Sequence, residues 1–191
     1  MDVTKIMEHM HAQAKKIRAD LGYSGADKFA PVANVIGPQG ESAYMGLGFH
    51  SDDEKRKLMN ALALSARQVG AQAIVMVQDV RWTDSEKFCN YFKIAAPPSV
   101  SFEHFQRDYL LVMQRFGGEM KNLPRELWNE AICVFAKGPL MEEQGRMAFY
   151  REGPNDTVEW FEREDLDLDL GAVQINMLPD WWETSGDAQP N

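Results

Sequence analysis

The sequence predicts an α+β fold, a single mixed sheet of about five or six strands covered by helices. Three observations carry that expectation. Two pairs of short alternating segments flank turns rich in glycine and proline, as hairpins do. Other segments place apolar residues at spacings of three and four, the mark of amphipathic helices. Between them, "AQAIVMVQDVRW" (71–82) is apolar on both faces through its centre, as a strand covered on two sides must be.

In chain order, the first element is a helix through "DVTKIMEHMHAQAKKIRADLG". Val3, Met7, Met10, Ala14, Ile17 and Leu21 form its stripe, Ile6 widens it, and Gly22 stops it. The segments "FAPVANVIG" and "SAYMGLGFH" then make a hairpin around "PQGE", with Ala43, Met45, Leu47 and Phe49 sharing one face. Ser51 and Glu54 stand at capping-box spacing before a second helix over 52–69, whose stripe is Leu58, Met59, Leu62, Ala66 and Val69. Strand, capped helix and buried strand in that order predict a βαβ crossover, with strands 43–50 and 72–82 parallel.

Residues 83–128 read as a helical insert. Thr83 and Glu86 have the spacing to cap a short helix through "KFCNYFKI", and Pro97-Pro98 breaks the pattern. Phe102, Phe105, Tyr109, Val112, Met113 and Phe116 then recur at helical spacing up to Gly117-Gly118. "AICVFA" (131–136) predicts a further strand, and "RMAFYRE" with "TVEWFER" a late hairpin around "GPND". The domain is expected to span 1–171, followed by an acidic tail over 172–191.

Charge is unevenly placed. The net charge is −9, with 29 acids against 20 bases. From Glu152 onward there are eleven acids and one base, Arg163, leaving eighteen acids and nineteen bases in residues 1–151. An acidic terminal fifth repels phosphates and anionic lipid, so no direct nucleic-acid or membrane binding is expected there. Apolar runs such as "AIVMV" (73–77) fall far short of the ~20 residues that span a bilayer. "MDVTKIMEHMH" lacks the apolar core of a signal peptide, and a cytoplasmic setting is expected. The two cysteines, Cys89 and Cys133, have apolar or aromatic neighbours and read as buried thiols in a reducing compartment.

The most suggestive chemical label is "EREDLDLDLG" (162–171). Asp165, Asp167 and Asp169 occupy positions 1, 3 and 5 of a calcium loop, but position 6 is Leu170 and position 12 is Asn176. Two-residue periodicity accounts for the segment more simply, with Leu166, Leu168 and Leu170 facing the protein and the aspartates facing water. "GLGFHS" echoes a phosphate-binding glycine loop, yet Asp52, Asp53 and Glu54 fill the helix start that a phosphate would need. His9 and His11 point in different directions on one helix, and there is no H-E-x-x-H, C-x-x-C or G-x-S-x-G motif. No metal or cofactor is expected.

The leading functional expectation is a non-catalytic, protein-binding or regulatory domain. Trp181 and Trp182, set among acids, either fold back on the domain or dock on a partner with a basic surface. The alternative is an enzyme at the carboxyl edge of the βαβ unit, with His50, Asp79 and Arg81 as acid–base candidates. A third reading is an acidic mimic of nucleic acid displaying the carboxylates of 152–169. Oligomeric state is left open by the sequence.

Overall fold

A computed structural model describes residues 2–48, 51–83, 85–118, 122–162 and 181–182. The chain forms two compact units, residues 1–80 with 131–191, and Arg81–Glu130.

The first unit begins with helix α1, Val3–Leu21. Asp2 caps it, its carboxylate accepting hydrogen bonds from the Thr4 and Lys5 amides, which satisfies two of the orphan donors of the first turn. Gly22 ends it at φ 71, a left-handed angle that glycine adopts without a Cβ clash. A side chain there would also meet the Asp156 carboxylate, which accepts from the Ser24 amide and hydroxyl, each at 2.7 Å. The end of α1 is thereby tied to the last turn of the sheet.

Strands β1 (Val32–Ile36) and β2 (Ser42–Gly46) form the first hairpin, pairing Val32 with Gly46 and Ile36 with Ser42. Its turn is held by Glu41, whose carboxylate accepts from the Gln39 amide at 2.9 Å. Helix α2 (Asp52–Gln68) follows, with the Ser51 hydroxyl accepting from the Glu54 amide, and leads into β3 (Ala73–Trp82). Strands β4 (Asn129–Gly138), β5 (Met141–Glu152) and β6 (Val158–Phe161) complete an open, antiparallel six-stranded sheet in the order β2-β1-β3-β4-β5-β6.

Strands β2 and β3 run parallel, as expected, but they are not neighbours and form no paired βαβ unit. β1 lies between β2 and β3 and is antiparallel to both. The reason is burial. "VANVI" is covered along most of its length, whereas all five residues of β2 are exposed, so the more apolar hairpin arm takes the inner place. β2 also ends at Gly46, short of the expected strand over 43–50. Its shared face of Ala43, Met45 and Leu47 does not pack as a face either; only Leu47, just beyond the strand, is buried.

One side of the sheet packs under α1, through Met7, Met10 and Ala14 against Ile36, Val75, Val77, Val134 and Tyr150. The opposite parity, including Ala33, Val35, Ile74, Met76, Cys133 and Phe135, is buried on the other side. Met59, Leu62, Ala63 and Ala66 of α2 are buried as well and take no part in the α1 cluster.

Asn34 interrupts the α1-side face. It stands between Val32 and Ile36, is fully buried, and neither side-chain polar atom has a hydrogen-bond partner among the described residues. An unpaired buried amide costs about 1–3 kcal/mol, so Asn34→Val is expected to stabilise the fold by about that amount. A urea unfolding midpoint that falls in this variant would contradict the assignment.

The second unit contains α3 (Ser85–Phe92) and α4 (Phe102–Arg115). Lys93, at φ 58, ends α3, and Ser101 caps α4 through the His104 amide. Phe88, Val112, Met113, Leu123 and Leu127 form its own small core. Cys89 here and Cys133 in β4 are both buried and free, and burial pushes the Cys133 thiol up to about 12.

Candidate functional site

Asp79 was the centre of the enzyme expectation, and the fold gives it another role. It follows Ala73, Val75 and Val77 on the α1 side of β3, where the last turn of α1 delivers Arg18. Arg18 is 0% exposed. Its Nε lies 3.5 Å from Asp79 Oδ2, its Nη2 donates to the Tyr23 carbonyl at 2.6 Å, and its guanidinium sits 4.9 Å from the centre of the Tyr150 ring. The Tyr150 hydroxyl donates to Asp79 Oδ1 at 2.6 Å, and the Tyr23 ring meets Tyr150 edge-on. The aspartate therefore serves as the counter-charge of a buried arginine, hydrogen-bonded on its second oxygen. Neither of the two grooves described below is lined by Asp79.

Arg81 belongs to the second unit, where its Nε is 2.7 Å from the buried Glu130 carboxylate. His50 lies outside the described residues, as do Asp165, Asp167 and Asp169 with the rest of 163–180. No acid–base pair is thus formed between Asp79 and a histidine among the described residues, and no cluster of His, Cys, Asp or Glu there could hold a metal ion.

Trp181 is 5% exposed, and its indole N–H points to the Ala71 carbonyl at 3.5 Å. Trp182 stands edge-on to it at 4.6 Å, with Lys137 Nζ 5.8 Å from its ring centre. Trp181 is thus seated on its own domain, while Trp182 is only partly buried.

Strand β2 is accessible along its whole length. Tyr44 is 61% exposed and Met45 37%. Leu47 N donates to Pro31 O and Gly37 N to Glu41 O, which fixes the odd-numbered residues of β2 as those bonded to β1. By alternation, the N–H and C=O groups of Ser42, Tyr44 and Gly46 point away from the sheet. Inboard of Tyr44, an apolar groove of about 240 Å³ is floored by Val32 and Val77 and walled by Met10, Ala14 and Ile17. His9, Gln13 and Tyr44 bring polar groups to its lining.

A second groove, on the β5–β6 side of α1, is lined by His11, Lys15, Trp160 and Glu162, with Lys15 Nζ 4.7 Å above the Trp160 ring. Burial is the main cause that lowers the His11 pKa, helped by the charges of Lys15 and Arg146 and opposed by a backbone hydrogen bond with Ile132. A histidine with a depressed folded-state pKa binds its proton more readily in the unfolded chain. Stability is therefore expected to fall as pH drops through and below the ordinary histidine range near 6.5, and His11→Gln is expected to flatten that slope. Equal slopes for the two proteins in denaturant titrations between about pH 5 and 7 would count against it.

The sequence reading did not single out Arg18, Tyr150 or Tyr44. Arg18 had a detectable signal: it is four residues beyond Ala14, on the buried phase of α1, whereas Ile17 is 49% exposed. Tyr44 had none, because strand order alone makes β2 an edge.

Fold and surface together define an α+β protein with an open antiparallel sheet and an exposed edge strand. No protein-family model matches the chain, and no curated protein is significantly similar to it. None of its described helices is long and apolar enough to cross a membrane.

Proposed function

We propose that this chain is a non-catalytic protein-binding domain that accepts an extended strand along the outer edge of β2. The observation supporting this reading is the state of that edge. Ser42–Gly46 has no charged residue and no proline, pairs with β1 without a bulge, and is exposed along its whole length. Those are the devices by which edge strands ordinarily avoid pairing, and β2 lacks them. Outward N–H and C=O groups at Ser42, Tyr44 and Gly46 offer main-chain hydrogen bonds, and Tyr44 offers an aromatic surface beside them.

The acidic terminal fifth adds a long-range contribution in this reading. Its charge steers the domain toward a partner with a basic surface, in a cytoplasmic setting. That steering acts through charge, not through Trp181, which is occupied within the domain. The enzyme reading has no comparable support, since Asp79 and Arg81 are held by Arg18, Tyr150 and Glu130.

The test is site-specific photocrosslinking of the full chain in its native cell. A benzoylphenylalanine at Tyr44 is expected to give discrete adducts that the same group at exposed Lys16 does not give. Gly46→Pro, which removes one outward N–H where a side chain has open space, is expected to abolish them. Identical adducts from both positions, or adducts that survive Gly46→Pro, would overturn the reading.

A further inference from the structure

The geometry points to a second copy of this chain as the strand that β2 accepts, in a two-fold, antiparallel β2–β2 pairing centred on Tyr44. This rests on the β2 edge being a docking edge, and names as its occupant a like-charged copy in place of a partner with a basic surface.

Two features of the strand select the occupant. The first is that "SAYMG" is compatible with its own reversal. Ser42 opposes Gly46 of the partner subunit, Ala43 opposes the partner's Met45, and Tyr44 opposes the partner's Tyr44, so the small end residues meet each other, no two bulky side chains meet off the axis, and the aromatic pair falls on it. The even residues already aim their N–H and C=O groups outward, so each of the three pairs centred on Ser42, Tyr44 and Gly46 exchanges two backbone bonds, about six in all. The second feature is charge. Two chains that each carry −9 repel, and contact is cheapest where neither presents an acid. β2 is such a place: its five residues are uncharged, and Glu41, which precedes them, turns its carboxylate back onto the Gln39 amide.

The pairing would join the two six-stranded sheets across the β2 edges and set the rings of Tyr44 and the partner's Tyr44 side by side on the α1 side. The partner's ring would thereby lengthen the wall of the apolar groove, and the two grooves would flank the seam.

The experiment is sedimentation equilibrium of the purified full chain across about 1 to 100 μM, with amide exchange read on the same samples. The wild type is expected to pass from monomer to dimer, with exchange at Ser42, Tyr44 and Gly46 slowing at least about tenfold as the dimer forms. Tyr44→Lys sets like charges face to face on the axis and is expected to weaken the dimer at least about tenfold. Since Tyr44 is exposed, the variant retains the core; Ala43→Asp, at a second exposed position, repeats the test. Added salt screens the repulsion between copies and is expected to tighten the dimer, whereas a basic foreign partner would bind less well. A wild type that stays monomeric, or a dimer that both variants leave unchanged, overturns the inference. If the chain is monomeric and Tyr44 still crosslinks another protein through the Gly46-dependent route, only the identity of the occupant fails. If the chain is monomeric and no such adduct forms, the docking edge fails with it.

Discussion

Asp79→Ala is expected to destabilise the protein by about 3–5 kcal/mol, the cost of leaving one member of a buried ion pair without its partner. The guanidinium of Arg18 is 0% exposed, and Asp79 is its only carboxylate neighbour within ion-pair distance among the described residues. Removing the carboxylate also takes away the acceptor that the Tyr150 hydroxyl holds at 2.6 Å. Tyr150→Phe should cost less, about 1–3 kcal/mol, because the charge pair survives and only the charge-assisted hydrogen bond is lost. The double change Arg18→Met with Asp79→Leu removes both charges together and is expected to recover most of the loss. Urea unfolding followed by circular dichroism measures all three. A loss below about 1 kcal/mol for Asp79→Ala would show that the pair is not the structural unit described, and would reopen a chemical role for the aspartate.

Trp181→Ala is expected to be comparably severe, at about 3 kcal/mol or more. The indole is almost wholly covered, donates toward Ala71 O and abuts Trp182, so truncation leaves a cavity and an uncovered neighbour. Trp182→Ala should cost less, because that ring is only partly buried and its polar contact is the more distant one, with Lys137. The two substitutions also separate self-docking from partner recognition. If Trp181 is a packing group, its loss lowers stability whatever partner is present. If it were the binding anchor, Trp181→Ala would leave the unfolding midpoint unchanged and weaken only the complex.

The two predictions mark the limits of sequence reasoning in this chain. α1 was legible because Met7, Met10 and Ala14 recur with helical period, and α2 because Ser51 precedes an amphipathic run. β3 was legible because five consecutive apolar residues, Ala73 to Val77, suit a strand covered on both faces. The late hairpin announced itself through alternation on both sides of "GPND". Each of these signals is local. They record which side of an element meets the core, and that is written in the spacing of apolar residues.

The placement of β1 was not legible. A strand, a helix and a strand in sequence suggest adjacent parallel strands, and nothing in residues 42–82 says that an earlier strand fills the gap. The surroundings of Asp79 were not legible for the same reason. Asp79 looked available because Arg18 and Tyr150, sixty-one residues before it and seventy-one after it, carry no sequence mark that they converge on it. Tyr44 looked like one of many aromatic residues until strand order put it on an edge.

By itself, the sequence determined the helices, most of the strands, the α+β class and the uneven charge, since these depend on periodicity and composition along short stretches. The tertiary structure alone decided that β2 is an open edge, that Asp79 neutralises a buried arginine, and that Trp181 is spent on its own domain. The physical reason is range. Periodicity is a property of neighbours in the chain, whereas exposure, pairing and charge compensation are properties of neighbours in space, and only the folded chain brings those together.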